Sequence, residues 1–240
     1  VSDKLIIQSI SGNKDDRFKP WMAVTEPIHR EYCERHDADY ELFVGDKEHG
    51  VHPTWNRLPM FLDAFSAGYK KVAWLDADTV IINQERDFFE ETDDEAPMLM
   101  TRVLSSHHEF PWASRDELGN VVPADKWDVY NDGVLIANNT EHARKCFEFA
   151  WANRKTKFEP WHVPGIPELD WILDYVYEHP ESVLQLDLAY NWMPYPEACP
   201  RDQAVILAWH GGPHPSRWAG LREAMQDFYG VDIGKHPFKD

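Results

Sequence analysis

The stretch Val72 to Ile82, VAWLDADTVII, constrains this chain more than any other. Val72 to Leu75 read as an apolar strand. That strand ends in Asp76, Ala77 and Asp78, and a second apolar run follows. Residues two apart on a strand share a face, so an extended Asp-x-Asp sets its carboxylates roughly 6–7 Å apart at the backbone and lets them converge. At about 4 Å and an effective dielectric near 20, two such charges repel by about 4 kcal/mol. A hard divalent cation turns that repulsion into coordination, and oxygen donors suit Mg²⁺ or Mn²⁺. The plain alternative is a strand that ends in a solvated turn, and the flanking chain has to decide between the two.

Two strand–helix units precede this run. Lys4 to Ser11, KLIIQSIS, reads as a buried strand closing on small polar residues. Loops at the C-terminal ends of parallel strands bind nucleotides in open α/β sheets, so Ser9 and Ser11 are candidate nucleotide contacts. Pro20 to His36 reads as a helix with Trp21, Val24, Ile28 and Tyr32 on one face, and Pro27 either kinks it or marks its start. Tyr40 to Gly45 alternates like a second strand. A helix begins near Arg57, with Pro59 in its first turn, and ends at Gly68. This order predicts an α/β fold whose mostly parallel mixed sheet is flanked by helices.

Beyond the Asp-x-Asp, Phe88 to Glu95 reads as a short acidic helix or loop and Ala96 to Val103 as a strand. Ser105 to Trp127 is long, polar and weakly periodic, which suits an acceptor-side loop or lid. Val129 to Asn138 is a strand carrying Asn131, Asp132 and Gly133. Thr140 caps a helix over 141–154 with Ala143, Phe147 and Ala150 inward. A Pro- and Trp-rich loop, a helix over 168–178, strands at 183–188 and 205–209, and a closing helix over 217–229 complete the order. One domain over 1–240 is expected, with a nucleotide-binding half over 1–103 and a second half over 104–240.

Composition narrows the partners. The net charge of −18 argues against nucleic acid and anionic membrane surfaces. No apolar run reaches the length of a membrane span, and no signal peptide is visible. Cys33, Cys146 and Cys199 lie far apart without C-x-x-C spacing, which argues against a disulfide scaffold and a cysteine zinc site. Three unpaired thiols fit a reducing compartment, so the cytoplasm is expected over a secretory lumen, leaving open an anchor upstream of Val1. The 11 tryptophans serve either as core filling or as flat faces for sugar rings.

Five blocks together resemble metal-dependent glycosyltransferases of the GT-A fold. They are similar to the fungal and plant α-galactosyltransferase and xylosyltransferase family, and then to the glycogenin-like family. The blocks are His29 to Val44, Trp55-Asn56-Arg57-Leu58, Asp76-Ala77-Asp78, Tyr130 to Val134, and Trp209-His210-Gly211-Gly212 with Arg217-Trp218. The resemblance implies transfer of a sugar from a nucleotide sugar, with UDP as the nucleotide, to a glycan or small-molecule acceptor. It implies Mn²⁺ or Mg²⁺ held by Asp76, Asp78 and His210. Ser9, Ser11, Arg57, Ala77, Asn131, Gly212 and Arg217 are implied as donor contacts, and Asp170 and Asp132 as catalytic candidates at the sugar.

Two departures stand out. Gly212 follows His210 by two residues where the family has three, and the Pro-Trp that ends the block is broken. Glu168-Leu169-Asp170 carries Leu169 where the family has Gln, which leaves retention and inversion both open. Two rival readings remain. A haloacid-dehalogenase-type phosphatase uses Asp76 as nucleophile and Asp78 as acid, but that motif normally opens its fold. A non-catalytic carbohydrate-binding protein accounts for the tryptophans but not for the ordered metal-ligand set.

Overall fold

The computed structural model describes residues 2–10, 18–48, 52–103, 129–155, 167–193, 199–209 and 214–235. Its strands are β1 (Lys4–Ile10), β2 (Asp39–Val44), β3 (Lys71–Leu75), β4 (Thr79–Ile81), β5 (Met98–Val103), β6 (Val129–Asn138), β7 (Val183–Gln185) and β8 (Ile206–Ala208). Its helices are α1 (Lys19–Arg35), α2 (Arg57–Ala67), α3 (Phe88–Glu91), α4 (Glu141–Asn153), α5 (Pro167–Glu178) and α6 (His214–Tyr229).

Six strands form one sheet in the order β2-β1-β3-β6-β5-β7. β1 pairs parallel with β2 and β3, β6 pairs antiparallel with β3 and β5, and β7 runs parallel to β5. β6 therefore runs against the other five, which is the mixed, mostly parallel sheet expected. The antiparallel register sets Val134 opposite Leu75, and Asp76 N–H donates to the Gly133 carbonyl at 2.8 Å. The start of β6 is thereby brought beside the end of β3, and Asn131 and Asp132 reach the Asp-x-Asp by topology alone.

The sheet is apolar on both faces, and residue alternation sorts the two cores. Leu5, Ile7, Val72, Trp74, Leu135 and Ala137 pack under α2, α4 and α5. Ile6, Ala73, Leu75, Val134 and Ile136 pack on the other side against Tyr32 and Cys33 of α1 and Phe88 and Phe89 of α3. Fully burying one such side chain contributes about 1.5–3 kcal/mol. A third cluster joins α1, α6 and the separate two-stranded β4-β8 sheet through Trp21, Val80, Leu207, Trp218 and Leu221. A Cβ on Gly220 would stand 2.1 Å from Trp209 Nε1, so the glycine lets α6 close onto that ring.

Local chemistry sets the ends of these elements. Pro20 sits in the first turn of α1, where its missing N–H costs nothing, and the helix runs on through Pro27. Gly68 ends α2 in the left-handed region at φ 105°. Thr140 Oγ1 caps α4 by accepting from Ala143 N–H at 3.2 Å. Of the eight tryptophans among the described residues, Trp21, Trp55, Trp74 and Trp218 lie in these cores, and Trp151, Trp171, Trp192 and Trp209 pack against them partly buried. Asn138 is buried, and its Nδ2 donates to the Asp93 and Ala96 carbonyls at 2.8 and 2.6 Å. No helix among the described residues is long and apolar enough to cross a membrane.

One expectation is corrected. The strand read through Asp76 and Asp78 stops at Leu75, and Asp76 to Asp78 form a turn before β4 leaves for the second sheet. Thr79 N–H and Oγ1 both donate to the Asp76 carbonyl, at 3.2 and 2.8 Å, and close that turn. Strand alternation therefore does not set the two carboxylates. The expected loop over Ser105 to Trp127 and the Pro- and Trp-rich loop after α4 lie outside the described residues.

Candidate active site

Arg57, in the first turn of α2, is the centre of the site. Its side chain is 3 % exposed, and its guanidinium meets three carboxylates from three other elements. Nη2 lies 3.3 Å from Asp76 Oδ1 at the end of β3 and 3.4 Å from Glu168 Oε1 in α5. Nη1 pairs with Asp132 Oδ2 of β6 and donates to the Asp132 carbonyl at 2.9 Å. The Trp74 ring lies 5.2 Å from the guanidinium carbon, and its Nε1–H donates to Asp76 Oδ1 at 2.8 Å. Arg57 is therefore a buried residue and not part of the exposed face of α2.

Glu168 was read from the sequence only as the first residue of the Glu168-Leu169-Asp170 block, with no role assigned to it. Its side chain is fully buried, and its Oε2 accepts from Thr54 Oγ1 at 2.5 Å. Burial, with help from the neighbouring Asp132 carboxylate, pushes its pKa up to about 8, against the pull of Arg57. Three acidic side chains around one guanidinium leave the site short of positive charge, and holding a proton on Glu168 is one way the fold meets that shortage.

Asp78 is tied differently. Arg217 Nη1 of α6 donates to Asp78 Oδ2 at 2.7 Å, and Trp209 N–H donates to the Asp78 carbonyl at 3.1 Å. Arg217 and Asp78 are thus brought together across the third core. His210, the residue after Trp209, lies outside the described residues, as do Ser11 and Gly212. Among the described residues no three His, Cys, Asp or Glu side chains are assembled as a metal site. Asp76 and Asp78 supply hard oxygen donors on one turn, and the chain leads into His210 directly from the residue bonded to Asp78.

The other expected residues are distributed as follows. Ser9 lies near the end of β1, opposite Phe43. Ala77 is the middle residue of the turn. Asn131 Oδ1 accepts from Gly133 N–H and from Asn191 Nδ2, both at 2.9 Å, so it shapes the start of β6. Asp132 is turned onto Arg57. Asp170 stands in the first turn of α5, and its side chain lies outside the described residues. Leu169, beside it, is buried at 3 % exposure.

No protein-family model matches the chain, and no curated protein matches it by sequence. Solved structures do match. A glycosyltransferase involved in the glycosylation of the major capsid of PBCV-1 superposes with a TM-score of 0.63 at 16% identity, over 92% of this chain and 98% of its own. The galactosyltransferase LgtC, solved with donor and acceptor sugar analogues, gives 0.55 at 15% identity, over 95% and 98%. The fold is that of GT-A glycosyltransferases. The bifunctional glycosyltransferase WbbM gives 0.59 at 14% identity, and this chain spans 50% of its length.

Protonation is linked to folding in opposite directions at two buried groups of this GT-A domain. Burial lowers the His29 pKa from the ordinary 6.5 to about 3. Between those values the unfolded chain binds a proton that the native state refuses, so this group lowers stability as pH falls from 6.5 towards 3. Glu168 holds a proton up to about 8 when folded and loses it near 4.5 when unfolded, so its contribution falls as pH rises between those values. We expect Glu168→Gln to gain on the wild type in urea unfolding as pH rises from 4.5 to 8. A stability difference that stays constant across that range would contradict the buried, proton-holding carboxylate.

Proposed function

We propose that this chain is a glycosyltransferase that moves a sugar from a UDP-sugar to a hydroxyl of a glycan or small-molecule acceptor, with Mn²⁺ as the preferred ion. One observation carries the reading. On a GT-A fold, the Asp76–Asp78 turn at the end of the central strand β3 meets Arg57, Asp132 and Glu168 on one side and Arg217 on the other.

Asp76 and Asp78 would hold the ion, with His210 as third ligand, and the ion supplies charge stabilisation to the departing nucleoside diphosphate. Arg217 stands beside Asp78, within the same ion pair, and would meet the phosphates once donor binding competes for that carboxylate. Arg57, locked among three carboxylates, cannot swing out without stranding them. Its part is to fix the direction of the Asp76 carboxylate and to hold Asp132 and Glu168 at the sugar end. Asp170, one helical step from Leu169, would orient the sugar, or would take the acceptor proton if the reaction inverts.

The test is a thermal-shift titration with UDP and GDP, each with Mn²⁺ and with EDTA. Ligand that binds the native state raises Tm, by about 2.7 kcal/mol of stability at a hundredfold excess over Kd. The largest rise is expected for UDP with Mn²⁺, with a much smaller one for UDP in EDTA, and donor-sugar screening follows from it. No rise with either nucleotide in any condition would overturn the reading.

A further inference from the structure

Gln8 is a polar residue in the middle of an apolar strand, and nothing in the site described so far uses it. It is fully buried in β1, beside the end of β3. Its Nε2 donates to the Asp76 carbonyl at 3.1 Å. Its Oε1 accepts two bonds, from Tyr40 OH at 2.7 Å and from His29 Nδ1 at 2.8 Å. His29, fully buried on α1, accepts from Ile81 N–H through Nε2 at 3.3 Å. That bond assigns the tautomer: Nε2 is the acceptor, so Nδ1 carries the hydrogen that goes to Gln8. With two donors on Oε1, the Gln8 amide has one orientation, and its N–H is aimed at Asp76.

The chain of bonds runs from the Asp76 carbonyl through Gln8 and His29 to Ile81 N–H. Those two backbone groups bracket the whole Asp-x-Asp turn. We infer that Gln8, held by His29 and Tyr40, is a positioning residue that clamps both ends of the Asp76–Asp78 turn and sets the spacing of its carboxylates. The inference rests on the proposed metal-dependent transfer for its purpose, but the clamp itself is a property of the metal-free protein. Burial alone would be served as well by an apolar residue at position 8, as at Ile6, Ile7 and Ile10. Carbonyl, amide, imidazole and phenol are all spent on one turn that a plain core would leave to solvent.

Outer groups that orient metal-binding side chains typically change metal affinity by about 10–100-fold when removed. Gln8→Met keeps the volume and deletes all three bonds. In metal-free protein, hydrogen exchange should speed up at residues 77–81 of Gln8→Met by about tenfold or more, with α4 and β5 unchanged. In the presence of UDP, the Mn²⁺ midpoint read from the paramagnetic relaxation of water should weaken by about 10–100-fold. Unchanged exchange in the turn, or a wild-type Mn²⁺ midpoint in folded Gln8→Met, would overturn the clamp. If Gln8→Met does not fold, Tyr40→Phe decides, because it deletes one bond to Oε1. A weakening of about 2–5-fold supports the clamp, and an unchanged midpoint overturns it. Should the wild type bind no Mn²⁺ with UDP, the transferase reading fails, and the exchange data alone then decide the clamp.

Discussion

Arg57→Met is expected to lower stability by about 3–5 kcal/mol at pH 8, because it leaves buried carboxylates without their cation. For a chain of this size that is a fall in Tm on the order of 10 °C. Asp132 and Glu168 are 4 % and 0 % exposed, so water cannot replace the guanidinium there. The loss should shrink at pH 5, where Glu168 already holds its proton in the folded state. Adding Asp132→Asn and Glu168→Gln to Arg57→Met should recover much of it, since the groups left stranded are then neutral. Arg57→Lys should fall between, because an ammonium is a point charge and cannot span Asp76, Asp132 and Glu168 as a planar fork does. Calorimetric scans of the four proteins at the two pH values measure this directly. An Arg57→Met protein as stable as the wild type would show that the four charges are not one cluster.

What the sequence disclosed about this cluster was its pieces. Asp76 and Asp78 were legible because an apolar strand that ends in two acids has few uses. The order of strands and helices around them was legible from periodicity and from Pro20, Pro59, Gly68 and Thr140. The turn stood only as one of two alternatives, since VAWLDADTVII is apolar on both sides of the acids and reads equally well as one extended run. It breaks there because β4 leaves the main sheet to pair with β8, a partner 129 residues away in the Thr79–Ala208 register. Glu168 was legible as part of the Glu168-Leu169-Asp170 block, but its pairing with Arg57 was hidden for the same kind of reason. It sits 111 positions from Arg57, in a helix whose periodicity marks Leu169 and Ile172 and says nothing about an acid at its start. Gln8 did carry a local signal, a lone amide inside KLIIQSI, which buried strands exclude unless it is bonded.

The second large effect concerns the turn itself. Asp76→Asn and Asp78→Asn should each lower kcat/KM for the proposed transfer by about 10³-fold or more, roughly 4 kcal/mol, with the fold intact. Both amides keep an oxygen that accepts hydrogen bonds, so Trp74 and Arg217 retain their partners while the charge for the ion is gone. The two variants should part on nucleotide binding without metal. Asp78→Asn turns the ion pair with Arg217 into a weaker, neutral-acceptor hydrogen bond that a phosphate displaces more readily, so UDP affinity in EDTA should exceed that of the wild type. Asp76→Asn leaves that ion pair untouched and loosens Arg57 instead, so its UDP affinity in EDTA should be unchanged. Titration calorimetry separates the two. Wild-type turnover in either variant would remove the turn from the chemistry. Equal UDP affinities in EDTA for all three proteins would mean that Arg217 serves Asp78 alone and takes no part at the phosphates.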